Sequence, residues 1–73
     1  MELRFDSTKF RAMVEDSGIS QAVLAERSGT SDRYIRAMSA GEKTNPSASK
    51  LSSICYELGR SVEDCMSPVS NTE

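Results

Sequence analysis

The side chains of this chain that could perform covalent or metal chemistry are few. Cys55 and Cys65 are the only cysteines among 73 residues, and there is no histidine. A thiol nucleophile needs a neighbouring base, and a structural zinc ion needs four ligands. The sequence offers no histidine base, no phosphate-binding glycine loop and no carboxylate pair with a plausible cleft. We therefore expect no catalytic residue, no metal site and no cofactor.

The two cysteines could be buried thiols or the two halves of a disulfide. Both fall at apolar positions of helical patterns, which favours reduced side chains in a core. Residues 1–10 lack the apolar run of a signal peptide, and no segment approaches the roughly 20 apolar residues of a membrane span. We therefore expect a cytoplasmic protein with free thiols and no membrane contact. A disulfide between Cys55 and Cys65 is the alternative.

The remaining polar chemistry is hydrogen bonding and charge, and the charge is unevenly distributed. The formal net charge is −2, which opposes binding to a polyanion. Residues 20–46 are the only third of the chain with a positive balance, because four cations there face three carboxylates. Charge alone would therefore direct an anionic partner to this third.

Five short helices are predicted to position these side chains. Apolar residues recur at helical spacing, and a residue that can cap a helix precedes each segment. The predicted helices lie near residues 7–17, 20–28, 31–39, 47–58 and 61–66, with caps at Asp6 or Ser7, Ser20, Ser31, Ser47 and Ser61. Gly18, Gly29 and Gly59 supply the left-handed residue with which helices commonly end.

The apolar stripes of these helices predict the core and the fold class. The residues expected to face inward are Phe10, Met13, Val14, Val23, Leu24, Ala25, Ile35, Met38, Leu51, Ile54, Cys55, Leu58, Val62, Cys65 and Met66. No strand pattern of useful length appears. The sequence predicts an all-α, five-helix domain over residues 1–66, followed by a flexible tail over residues 67–73.

Residues 21–40 contain the most informative spacing. Two helices joined by a three- or four-residue turn must cross closely, and Ala25 is small enough for that crossing. Gly29 permits the positive φ that the turn needs. Ile35 and Met38 can anchor the second helix to the first. The polar and small residues left on its outer face are Ser31, Asp32, Arg33, Arg36 and Ala37.

This pattern resembles the helix-turn-helix of the phage repressor/Cro family, also described as XRE-like or lambda-repressor-like. The matching positions are Gln21, Leu24, Ala25, Gly29, Ile35 and Met38. The resemblance extends outside the motif, to Gly18-Ile19-Ser20, to the loop bracketed by Gly41 and Pro46, and to the pattern from Leu51 to Asp64. It covers about residues 8–66, which is nearly the whole chain.

The resemblance implies a DNA-binding regulator, most simply a repressor, that inserts helix 31–39 into the major groove of duplex DNA. In such proteins the start of the second motif helix reads base edges. The implied base-reading residues are Ser31, Asp32, Arg33, Arg36 and Ala37. The implied backbone contacts are Ser20, Gln21, Lys43, Thr44 and Asn45. The family often has glutamine where Asp32 stands, so its usual adenine contact is not implied here.

The resemblance also implies a homodimer on a two-fold DNA site, with contacts between Val62 and Pro68. A different function stays open at this point. A helix-turn-helix scaffold with little DNA affinity could act as a protein-binding module or an antitoxin-like partner. The acidic balance and Asp32 favour that alternative.

Overall fold

A computed structural model describes residues 2–69 as four α-helices, one turn of 3-10 helix and a small β-ribbon. The elements are β1 (Leu3–Phe5), α1 (Ser7–Ser17), α2 (Gln21–Ser28), α3 (Asp32–Ala40), α4 (Ala48–Leu58), the 3-10 helix (Val62–Cys65) and β2 (Met66–Pro68). The predicted helical fold is confirmed, whereas the count of five helices is not. Residues 2–69 include no helix with the length and apolar character needed to cross a membrane.

Side-chain caps explain where the α-helices begin. Asp6, rather than Ser7, caps α1, because its carboxylate accepts hydrogen bonds from the amides of Thr8 and Lys9. Ser20, Ser31 and Ser47 cap the next three helices in the same way, each through an amide three residues later. Each cap satisfies backbone donors that have no partner inside the helix. The predicted helix starts therefore agree with the structure to within one residue.

The four α-helices and the 3-10 helix enclose one apolar core. Helix α2 packs on α4, and α3 packs on both α1 and α2. The buried apolar side chains are Phe10, Met13, Val14, Leu24, Ala25, Ile35, Met38, Leu51, Ile54, Cys55 and Cys65. Three residues predicted to be inward, Leu58, Val62 and Met66, are only partly buried at the edge of this core.

Val23 corrects one prediction about the core. Its side chain is 38% exposed, whereas that of Leu24 is fully buried. Successive helical residues are rotated by about 100°, so Val23 lies about 200° from Ala25, away from the inward face of α2. Leu24 and Ala25 occupy the inward face, and Val23 is left at the surface.

The C-terminal segment differs most from the sequence prediction. The helix predicted over 61–66 is a single 3-10 turn, closed by a capping box between Ser61 and Asp64. The chain then becomes extended and pairs antiparallel with β1, with Phe5 opposite Met66 and Leu3 opposite Pro68. These strands are too short to show alternation in the sequence.

The same ribbon moves the predicted boundary of the tail. Ser67 and Pro68, assigned to a flexible tail, lie in β2, and the amide of Val69 donates to the carbonyl of Glu2 at 2.9 Å. The rest of that predicted tail, residues 70–73, lies outside the described residues.

Asp6 and Lys9 fasten the ribbon to α1. The second carboxylate oxygen of Asp6 accepts a hydrogen bond from the Ser67 hydroxyl at 2.7 Å. The Lys9 ammonium donates to the carbonyl of Met66 at 2.9 Å. Phe5 also packs on Phe10, with ring centroids 5.7 Å apart. Polar and apolar contacts together therefore close the domain around α1.

Candidate nucleic-acid interface

The turn between α2 and α3 fixes the crossing of the two helices. Gly29 ends α2 at φ 73°, and the amide of Thr30 donates to the carbonyl of Ala25 at 2.9 Å. The Ser28 hydroxyl lies 2.7 Å from the carbonyl of Leu24 and 2.9 Å from the Thr30 hydroxyl. A turn with this many internal hydrogen bonds holds α3 in one orientation relative to α2.

Helix α3 has one buried face and one polar face. Ile35 and Met38 are completely buried against the rest of the core. Arg33 and Arg36 are exposed, and Asp32 and Ala37 are partly exposed on the opposite side. The sequence predicted this division, because helical spacing separates the two sets of positions.

Two candidate base-reading residues on this face are paired with one another. The Arg36 guanidinium donates to the Asp32 carboxylate at 2.7 Å, and both side chains remain substantially exposed. Arg33 is exposed and makes no ion pair to any residue in the range 2–69. The Ser31 hydroxyl oxygen already accepts from the amide of Tyr34 at 3.0 Å, although its hydrogen can still be donated.

The predicted backbone-contact residues fall in two places. Ser20 and Gln21 stand at the start of α2, where the Ser20 hydroxyl accepts from Val23. Lys43, Thr44 and Asn45 lie in the loop between α3 and α4. The amides of Glu42 and Lys43 both donate to the carbonyl of Ala37, which turns this loop back over the end of α3.

Two residues next to this loop, Tyr34 and Lys50, were not predicted from the sequence to belong to the site. The hydroxyl oxygen of Tyr34 accepts a hydrogen bond from the amide of Ser47 at 3.0 Å. The ammonium groups of Lys43 and Lys50 lie 5.3 Å and 4.9 Å from the centroid of the Tyr34 ring. Local spacing could not reveal this cluster, because its members belong to α3, the loop and α4.

The two cysteines lie in the core, away from exposed polar chemistry. Their sulfur atoms are 3.9 Å apart and form no disulfide, and the Cys65 thiol donates to the carbonyl of Val62. The hydrogen bond with Cys55, together with burial, raises the pKa of the Cys65 thiol well above its ordinary range. In the part of the chain that the structure describes, no group of three or more cysteine, aspartate or glutamate residues could hold a metal ion.

Comparison with known proteins assigns the fold to a family. The helix-turn-helix family model matches residues 10–65. Among solved structures, the clp gene regulator ClgR of Corynebacterium glutamicum is 34% identical with a TM-score of 0.74; the match covers 81% of this chain and 62% of the ClgR chain. The chain belongs to the helix-turn-helix family of XRE type, which confirms the resemblance found in the sequence.

A second regulator shows the same fold over nearly the whole chain. The N-terminal DNA-binding domain of SinR, the master biofilm regulator of Bacillus subtilis, is 25% identical with a TM-score of 0.73. That match covers 93% of this chain and 99% of the SinR domain. SinR has also been solved in complex with DNA, in a structure that is 26% identical over 78% of this chain. The search of curated proteins gave no match.

The fold also occurs within a larger, substrate-binding protein. HppE, solved with Fe(II) and substrate, is 26% identical with a TM-score of 0.68, and the match covers 90% of this chain but only 40% of HppE. The similarity therefore concerns only one domain-sized part of HppE. It assigns no activity to this chain.

Proposed function

We propose that this protein is a transcription regulator that binds duplex DNA sequence-specifically by inserting α3 into the major groove. The observation that supports this most directly is the exposure of Arg33 on α3. Its guanidinium is exposed on the outer face of α3, and Ile35 and Met38 anchor that helix from behind. A helix held in this way presents its first turns to base edges, as motif helices of this kind do.

The base-reading roles follow from side-chain chemistry. Arg33 can donate two hydrogen bonds to the O6 and N7 atoms of guanine. Asp32 can accept from the amino group of cytosine, and Ala37 can contact a thymine methyl. Arg36 and Ser31 contribute donors on the same face. Asp32 and Arg36 are paired in the free protein through one oxygen and one nitrogen, so each keeps polar atoms that can reach a base.

Backbone contacts would set the position of α3 in the groove. Ser20 and Gln21 stand at the start of α2, where free amides and the helix dipole favour a phosphate oxygen. Lys43 would contribute charge from the loop, and Thr44 and Asn45 would contribute neutral donors. This is a modest set of cations, so one subunit should bind weakly on its own.

A homodimer on a two-fold site would raise the overall affinity, because the second contact becomes effectively intramolecular. We place its interface between Val62 and Pro68, which form the 3-10 helix and β2. A repressor role, a cytoplasmic location and the absence of enzymatic activity all remain predictions. The match to this chain covers 62% of the ClgR chain.

The competing proposal is a protein-binding module, which the net charge of −2 favours. SinR has also been solved in complex with the SinI protein, so one protein of this fold has a protein partner. Selection of bound sequences from a random duplex library at low salt separates the two proposals. Enrichment of a two-fold motif supports sequence-specific DNA binding. Failure to retain any DNA, and passage through a heparin column at low salt, would overturn it in favour of protein binding.

A further inference from the structure

Tyr34 joins three segments that the DNA-binding proposal treats separately. It belongs to α3, its hydroxyl oxygen accepts from the amide of Ser47 at the start of α4, and the ammonium groups of Lys43 and Lys50 both lie near its ring. The Tyr34 side chain is half-buried against the core, so its position is fixed together with that of α3. Tyr34 therefore connects α3 with the loop and with α4.

The two lysines have an unusual arrangement for surface cations. Neither lies within 4 Å of a carboxylate in residues 2–69, where the ion pairs are Arg36–Asp32 and Arg60–Asp16. Two ammonium groups near one ring repel each other, and the negative face of the ring offsets only part of that repulsion. Negative charge brought near these ammonium groups would offset the rest. This cluster is therefore better suited to an anionic ligand than to isolation in water.

We propose that Tyr34 is a positioning residue and that Lys50 is a further phosphate contact. Tyr34 holds Lys43 and Lys50 at a fixed offset from α3, so the two ammonium groups meet the sugar-phosphate backbone when Arg33 meets its base. This inference rests on the DNA-binding function proposed above. It adds a cation from α4 to the contacts predicted in the loop, and it links base reading to backbone contact through one side chain.

The salt dependence of DNA binding by folded variants tests the proposal, because it counts phosphate contacts. Each phosphate that a lysine neutralises adds about 0.9 to the magnitude of the slope of log K against log salt. Lys50→Gln should reduce the slope by about this amount for each half-site. The expected loss should be equal on the selected sequence and on random DNA, since a phosphate contact does not read bases.

Arg60→Gln is the matched control. It removes one positive charge just beyond the other end of α4, about 15 Å along the helix from Lys50 at 1.5 Å per residue. Its partner in the free protein is Asp16. The slope of this variant should equal that of the parent. An equal reduction by Lys50→Gln and Arg60→Gln would mean that only net charge matters, and would overturn the assignment of Lys50.

Variants of Tyr34 test the positioning role separately. Tyr34→Leu removes the ring face and the hydroxyl, and should lower the slope as removal of the lysines does. Tyr34→Phe keeps the ring and should retain most of the slope. In the Tyr34→Leu background, Lys50→Gln should have a smaller effect than in the parent, because the lysine is no longer held in place.

The outcomes distinguish this inference from the function on which it rests. If the parent binds a selected site and Lys50→Gln leaves the slope unchanged, the Lys50 contact is wrong and the DNA-binding function stands. If folded Tyr34→Leu retains the parental slope, Tyr34 is only a structural residue. Should Tyr34→Leu fail to fold, a folded Tyr34→Phe that loses as much slope as Lys50→Gln overturns the role assigned to the ring. A parent that binds no DNA at low salt overturns both proposals.

Discussion

Arg36 and Asp32 form an ion pair one helical turn apart on the outer face of α3, with Nη2 of the arginine 2.7 Å from Oδ2 of the aspartate. An exposed pair with this spacing contributes only about 0.3–0.5 kcal/mol, so a base pair or a phosphate can replace it. The pair has a second effect. It neutralises the one carboxylate on this face, which would otherwise repel the DNA backbone.

Asp32→Asn should therefore raise affinity for random DNA while it weakens preference for the selected site. The variant removes a negative charge that approaches phosphates, and it frees Arg36 to bind them. Binding isotherms on selected and random duplexes at one salt concentration measure both effects. Glu26→Gln, an equal change of charge on the exposed surface of α2, is the control. Lower affinity of Asp32→Asn for random DNA would contradict the proposed approach of α3.

Arg33→Ala and Lys43→Ala should separate base reading from backbone contact. Arg33→Ala should weaken binding to the selected site by about 1–3 kcal/mol and relax the preference at one base pair. Lys43→Ala should weaken binding to all sequences about equally and lower the salt slope by about one unit per half-site. Salt titrations on both DNAs measure the difference. An identical loss for Arg33→Ala on selected and random DNA would make Arg33 a phosphate contact instead.

Ala25→Leu should destabilise the domain by about 1–3 kcal/mol, because overpacking at a helix crossing forces the backbones apart. Ala25 is 4% exposed where α2 meets its neighbours. Ala22→Leu, on the exposed surface of the same helix, is the control and should change stability little. Urea unfolding followed by circular dichroism measures both variants. Equal midpoints for the parent and Ala25→Leu would show that the crossing has room to spare.

The ribbon should make stability depend on pH through Asp6. The hydrogen bond from Ser67, followed by those from the amides of Lys9 and Thr8, holds the pKa of the Asp6 carboxyl below its ordinary value of 3.8. A carboxyl pKa that is lower in the folded state stabilises the domain at neutral pH. This contribution is lost as the pH falls below 3.8 and through the lowered pKa of Asp6. Asp6→Asn should thus lower the melting temperature at pH 7 more than at pH 3.

Two further variants identify the source of that dependence. Ser67→Ala should show a smaller loss with the same trend, since it removes one of the hydrogen bonds to the carboxylate. Glu15→Gln, an exposed change of charge on α1, controls for net charge. A difference between the parent and Asp6→Asn that stays constant from pH 7 to pH 3 would show that ionisation of Asp6 does not contribute.

Cys55 and Cys65 should both be free thiols that react slowly in the native protein. Both side chains are at most 1% exposed, and the raised pKa of Cys65 leaves little thiolate at neutral pH. Thiol labelling in denaturant without reductant should find two thiols per chain. Labelling of neither would establish the disulfide instead. Rapid labelling of both before denaturation would contradict their burial.

Local patterns predicted the helices well because the signals that start and end them are local. Ser20, Ser31 and Ser47 cap helices through amides three residues away. Gly29 ends α2 through its amide, which donates to the carbonyl of Ala25 four residues earlier. The β-ribbon was missed for the opposite reason. Its partners, such as Phe5 and Met66, lie at opposite ends of the sequence, and three residues in each strand show no periodicity.

The candidate site divides in the same way. The outer face of α3 follows from helical spacing, so Asp32, Arg33 and Arg36 could be identified from the sequence alone. The ion pair between Asp32 and Arg36 could not be decided from the sequence, because residues at this spacing can pair or remain apart. The cluster of Tyr34, Lys43 and Lys50 depends on how the loop folds back on α3, which no single segment of sequence determines.

The pairing of β1 with β2 also places residues 2 and 69 side by side, joined by the hydrogen bond from Val69 to Glu2. The polypeptide therefore enters and leaves this domain at adjacent positions. A short linker could join the two positions into a ring, and new ends could be opened in an exposed loop without altering the core. For the same reason the whole unit could be inserted into a surface loop of an unrelated protein, because its host would need to part by little more than the spacing of two strands.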